Sequence, residues 1–68
     1  MQVQVLKDRI KASGMSMEKI SEMIGIDTST MYRKIQKGGG GFTIKETNAL
    51  AKVLNLSSDD ALDIFFRQ

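Results

Sequence analysis

Apolar side chains recur along this chain at helical spacing, and no stretch alternates as a strand would. Val3, Leu6 and Ile10 fall at i, i+3 and i+7, one stripe of a helix over residues 2–13, while Lys7, Asp8, Arg9 and Lys11 face water. Ser13-Gly14 ends that helix and Met15 turns inward beyond it. Ser16 is placed to cap a second helix, Met17–Ile24, with Ile20 and Ile24 one turn apart. Lys19 stands where a capping box would have glutamate, although Glu18 still suits the positive end of the helix. Gly25 stops the helix, since glycine alone enters the left-handed region without a Cβ penalty. Ile26 then drops into the core, and Asp27 offers a carboxylate to the free N–H groups of a third helix, residues 28–37. Met31 and Ile35 share one face of it; Thr28, Ser29, Tyr32, Arg33 and Gln36 occupy another.

Beyond it stand four consecutive glycines, Gly38 to Gly41. Two readings are open: a mobile connector, or bare backbone that lets N–H groups approach a phosphate closely. Phe42 follows, in position to staple against Thr47 or a neighbouring apolar side chain. Thr43 with Glu46 three residues on is a complete capping box, so a fourth helix runs to Val53 or Leu54. Its expected inner face is Ile44, Thr47, Leu50, Ala51 and Leu54. Asn55-Leu56 leaves it, and Ser57-Ser58-Asp59-Asp60 begins a fifth helix with an acidic first turn, ending near Phe66. Ala61, Leu62, Ile64, Phe65 and Phe66 are more apolar surface than one helix face hides.

The prediction is therefore an all-α fold of five short helices in one domain, with no repeat and no internal linker. At 68 residues such a domain buries only about 60% of its unfolded surface, so self-association would add useful stability. The chain has no cysteine and no histidine, which removes disulfides, thiolate metal sites, the usual general base and the commonest metal ligand. No carboxylate pair has a recognisable catalytic setting, so neither an enzyme nor a cofactor is expected. The apolar runs are far short of the roughly 20 residues of a membrane span, and no secretory signal pattern opens the chain, which is expected in the cytoplasm. Net charge is only +2, but it is unevenly spread. Arg33, Lys34, Lys37, Lys45 and Lys52 face only Glu46 in the middle of the chain, whereas Asp59, Asp60 and Asp63 face only Arg67 at its end. A basic middle and an acidic tail suit a protein that meets phosphates with one surface.

Two short helices, a glycine turn and a polar, cationic second helix make a helix-turn-helix pattern. With Met15-Ser16 before helix two, then Ile20, Gly25, Ile26, Met31 and Ile35, and with Phe42 to Leu56 matching a fourth helix and its exit, the chain resembles the lambda repressor/Cro-type (XRE-like) DNA-binding domain. Among its members it looks most like a small stand-alone phage regulator of Cro type. Two positions depart from that family: Met17 stands where a glutamine usually braces a phosphate, and Ser21 where an alanine packs against the turn.

The resemblance implies a sequence-specific regulator of transcription, most simply a repressor, whose third helix enters the major groove of double-stranded DNA. Thr28 and Ser29 match the first exposed positions of the recognition helix, and Tyr32 and Arg33 those one turn later; all four are candidate base contacts. Arg33 is the sharpest, because guanidinium to guanine is the commonest specific contact, although a plain phosphate contact is its alternative. Lys34, Gln36, Lys37 and Lys45 are candidate phosphate contacts, each alternatively a solvated side chain. Ile64, Phe65 and Phe66 are the expected dimer contact, the alternative being closure of the core by one or two of them. A dimer would read an approximately palindromic operator with half-sites about one helical turn apart. No small-molecule ligand is expected. The competing reading is a protein-interaction module, such as an antirepressor or adaptor, on the same fold.

Overall fold

A computed structural model describes residues 1–66. The chain forms five helices in the order α1 (Val3–Ala12), α2 (Met17–Ile24), α3 (Thr28–Gln36), α4 (Ile44–Val53) and α5 (Ser58–Phe65). There is no strand among the described residues. Each helix places two buried residues in a common interior: Leu6 and Ile10, Ile20 and Ser21, Met31 and Ile35, Thr47 and Leu50, Ile64 and Phe65. Helix α2 lies at the centre, packed against both α3 and α4, and α1 packs on α5. The two polar members of the interior are satisfied by their own helices. Ser21 Oγ donates to the Met17 carbonyl at 2.7 Å and Thr47 Oγ1 to the Ile44 carbonyl at 2.9 Å. Among the described residues no helix is long and apolar enough to cross a membrane.

The helix ends follow the local chemistry closely. Ser16, Thr43 and Ser57 each accept from the backbone N–H three residues on, and Glu46 closes the capping box by accepting from the Thr43 N–H at 3.0 Å. Three helices end in the same double-bonded left-handed turn. At α2, the Gly25 and Ile26 N–H groups donate to the carbonyls of Glu22 and Ser21; at α3, those of Gly38 and Gly39 donate to Ile35 and Lys34; at α4, those of Asn55 and Leu56 donate to Lys52 and Ala51. Asn55 (φ 55°) does at α4 what a glycine does at the other two.

Four expectations are corrected. Asp27 occupies the N-cap position of α3 with extended backbone, but its carboxylate accepts no hydrogen bond there. Ile44 is 71% exposed, not on the inner face of α4. It is the first residue of that helix, at the edge of the apolar stripe, where no neighbouring helix reaches over it. Ile64 and Phe65 are buried, Ile64 to 1% exposure, because α5 closes the interior with them. They offer no surface to a second chain, and of the three expected contact residues only Phe66, 62% exposed, remains outside. The glycine run, finally, is a shaped turn and not a loose connector: Gly38 and Gly39 have φ of 75° and 81°, and Gly39 is buried beneath the Met1 side chain.

These backbone angles separate the four glycines experimentally. At Gly39 a Cβ would lie 2.0 Å from Met1 Sδ, which a flexible methionine relieves by moving, so the left-handed backbone sets the larger penalty. Gly39→Ala is expected to destabilise by about 1–2 kcal/mol. Gly40 has neither constraint, and Gly40→Ala is expected to be neutral or stabilising by up to about 1 kcal/mol. Urea midpoints of the two variants measure the difference.

Candidate nucleic-acid interface

Met31 and Ile35 hold α3 against the interior by one narrow stripe. At about 100° per residue, the arc opposite that stripe carries Ser29, Arg33, Gln36 and Lys37, with Tyr32 on its flank, and all five are exposed. No acidic residue lies on α3. The arc thus presents a hydroxyl, a phenol, a guanidinium, an amide and an ammonium side by side, which are donors and acceptors suited to base edges and phosphate oxygens. Thr28 flanks the buried stripe and is only partly exposed. The Arg33 guanidinium leans along the helix, with Nη2 donating to Thr30 Oγ1 at 3.5 Å, the outer limit of a hydrogen bond. Thr30, one turn earlier, thus joins the candidate residues as a partner of the Arg33 head group; the i, i+3 spacing is the signal in the sequence that points to it.

Lys34 differs from the expectation. Its ammonium does not point outward with the arc but reaches Glu46 Oε1 at 2.6 Å, and the two side chains are only 20% and 14% exposed. The same oxygen accepts the Thr43 N–H at 3.0 Å, and the ammonium stands 5.7 Å from the centre of the Phe42 ring. Lys34 is an internal brace in this structure, because a capping-box carboxylate and an aromatic face lie within its reach and satisfy it there. Lys45, the neighbour of Glu46, is exposed on the first turn of α4, off the α3 arc. Met17 is half-buried against the interior, and its thioether has no N–H with which to brace a phosphate. The arc therefore depends on Arg33 and Lys37 for positive charge, with Lys34 already compensated.

An apolar hollow of about 220 Å³ lies beyond the end of α3, bordered by Met1, Phe42, Ile44 and Phe66 among others. Ile44 and Phe66, the two most exposed large apolar side chains, both line it. Of the three residues expected at a dimer contact only Phe66 lies at the surface, and Ile44, expected in the core, is exposed beside the same hollow.

The family profile described as the BetR domain matches residues 2–66. The chain belongs to the BetR domain family. The match spans all five helices and the arc on α3, and the family is one of small helical domains. No curated protein and no solved structure gives a significant match to it.

The Lys34 ammonium, and next the Thr43 N–H, hold the Glu46 carboxyl below its ordinary range. A carboxyl whose folded-state pKa is lowered binds fewer protons folded than unfolded, so its contribution to stability is complete above the ordinary glutamate value and is lost as pH falls through the lowered one. Acid titration of stability is therefore expected to steepen in the window from the ordinary glutamate pKa downward. In Glu46→Gln, which keeps an acceptor for the cap, that part of the dependence should vanish, as measured by thermal unfolding between neutral pH and pH about 3.

Proposed function

We propose that this BetR domain is a sequence-specific double-stranded DNA-binding regulator of transcription, most simply a repressor, that reads the major groove with α3. The observation that carries the reading is the outward arc of α3: hydroxyl, phenol, amide and cationic groups, no acid, on a helix anchored by Met31 and Ile35. On this reading α2, the Gly25 turn and α3 form a helix-turn-helix unit of lambda repressor/Cro type. Membership of the BetR family supports a small regulatory domain of DNA-binding type. Ser29, Tyr32, Arg33 and the partly exposed Thr28 contact base edges; Gln36, Lys37 and Lys45 contact phosphates and position the domain. Lys34 leaves the set of DNA contacts for its place beside Glu46. The domain acts in the cytoplasm, where bacterial and phage operators lie, by occupying a promoter and excluding polymerase, with no catalysis and no cofactor.

Two copies bind an approximately palindromic operator, half-sites about one turn apart, and meet through the exposed patch of Ile44 and Phe66. Phe66→Asp is expected to abolish cooperative operator binding while leaving the monomer folded, since the side chain already stands in water; sedimentation of the variant with and without operator duplex measures this. Unchanged association would move the interface elsewhere.

Met17, turned into the interior, and the small net charge favour a second reading, a protein-interaction module on the same fold. Selection from a random duplex library at two salt concentrations separates the two. The regulator reading expects a short inverted repeat at both. It also expects Arg33→Ala to lose roughly 1–3 kcal/mol of discrimination at one base pair of each half-site. Enrichment without a motif, lost at higher salt, indicates a phosphate binder without a code. No enrichment at either concentration favours the interaction module.

A further inference from the structure

Lys34 is held through both its backbone and its side chain. Its carbonyl accepts the Gly39 N–H at 2.9 Å in the turn that ends α3, and its ammonium meets Glu46 Oε1 at the start of α4. Between these points the aliphatic stem runs alongside Gly41, where a Cβ would lie 3.4 Å from Lys34 Cγ, and the head stands over the Phe42 ring. One side chain therefore spans the whole α3–α4 connection. The four glycines at the middle of the connection, Gly38 to Gly41, have no side chain with which to hold either helix. Helix α3 packs chiefly on α2, and so does α4; the Lys34–Glu46 pair is the direct polar tie between the last turn of α3 and α4 among the described residues.

From this geometry we infer that Lys34 and Glu46 are positioning residues for the α3 arc, setting the angle at which it projects, and that neither touches DNA. The inference rests on the DNA-binding reading for its consequence but not for its mechanics. A phosphate contact by Lys34 would require it to leave Glu46, and would then set that carboxylate close to the phosphate it was meant to bind, two like charges in a partly desolvated place. The alternative use of the lysine is thus opposed by its own partner. An acidic residue is in this way required for binding a polyanion.

Simple electrostatics and positioning make opposite forecasts for the affinity of a Glu46 variant, and differ for Lys34 in the salt slope. Lys34→Met keeps the stem over Gly41 and Phe42 and removes a positive charge; Glu46→Gln keeps the cap acceptor and removes a negative one. Each is compared with the unmodified domain in binding to the selected operator duplex and to a random-sequence duplex over a range of salt, and in amide hydrogen exchange. Positioning expects both variants to lose operator affinity by on the order of three- to thirtyfold, with the double variant little worse than either single one. It expects the salt slope of Lys34→Met to match that of the parent, whereas Lys37→Met lowers it by about one. It further expects faster exchange at Lys37, Gly38 and Gly39 in both. The inference is overturned if Glu46→Gln strengthens operator binding, if Lys34→Met lowers the salt slope as Lys37→Met does, or if exchange is unchanged in both variants. Should the parent bind no duplex at all, the DNA reading fails by itself. Exchange then decides the mechanics: acceleration confined to the end of α3 and residues 42–46 upholds the brace, and unaltered rates refute it.

Discussion

Helix α3 has two buried side chains, Met31 and Ile35, one turn apart, and the remainder of the structure serves to hold that narrow stripe in place. A stripe so thin fixes where the helix lies but resists rotation about its own axis poorly, since the contacts sit close to one line. The surroundings make up for it. At the start of α3, the Gly25 turn delivers Ile26 into the interior; at its end, Gly38 and Gly39 fold the chain back beneath Met1. Farther on, Lys34 reaches to the capping box of α4. The exposed arc is the complement of these restraints, and its composition is free to vary without disturbing them.

The helices and their ends were legible in the sequence because the signals are local. Capping residues Ser16 and Thr43, the stop at Gly25, and the apolar spacing of Leu6 with Ile10 or Met31 with Ile35 each depend on neighbours within a turn. What was not legible depends on what lies across the fold. Lys34 reads as one more cation on a basic helix until α4 brings Glu46 to it. Ile44 reads as core by its spacing, yet it stands at a helix end that nothing covers, while Phe65, which reads as surplus, fills the interior. Apolar spacing identifies a face but not how far along the helix that face is covered. Asp27 shows the same limit at shorter range: the right residue in the right backbone conformation still made no cap bond.

Two ion pairs among the described residues show how differently a charge pair can act at similar separation. Arg9 and Asp60 tie α1 to α5 at 2.8 Å, but both side chains are about 40% exposed, and such a pair contributes roughly 0.2–1 kcal/mol at most. The Lys34–Glu46 pair is sheltered, shares its carboxylate with a backbone N–H and has an aromatic ring beneath it. Its importance lies less in strength than in placement, because it joins two helices across a run of four glycines.

The Gln2 N–H donates to the Ile64 carbonyl at 2.7 Å, joining the first turn of α1 to the last of α5. That bond makes the path of the backbone a ring: five helices in succession, with α1 and α5 adjacent across the seam. A ring has no privileged starting point. The entropy of closing it grows only with the logarithm of the length enclosed, about 0.6 kcal/mol for each doubling. The contacts are densest around α2 between α3 and α4, and the seam is the longest closure in the described chain. The outer helices are a clasp, shut over an interior that the middle three share.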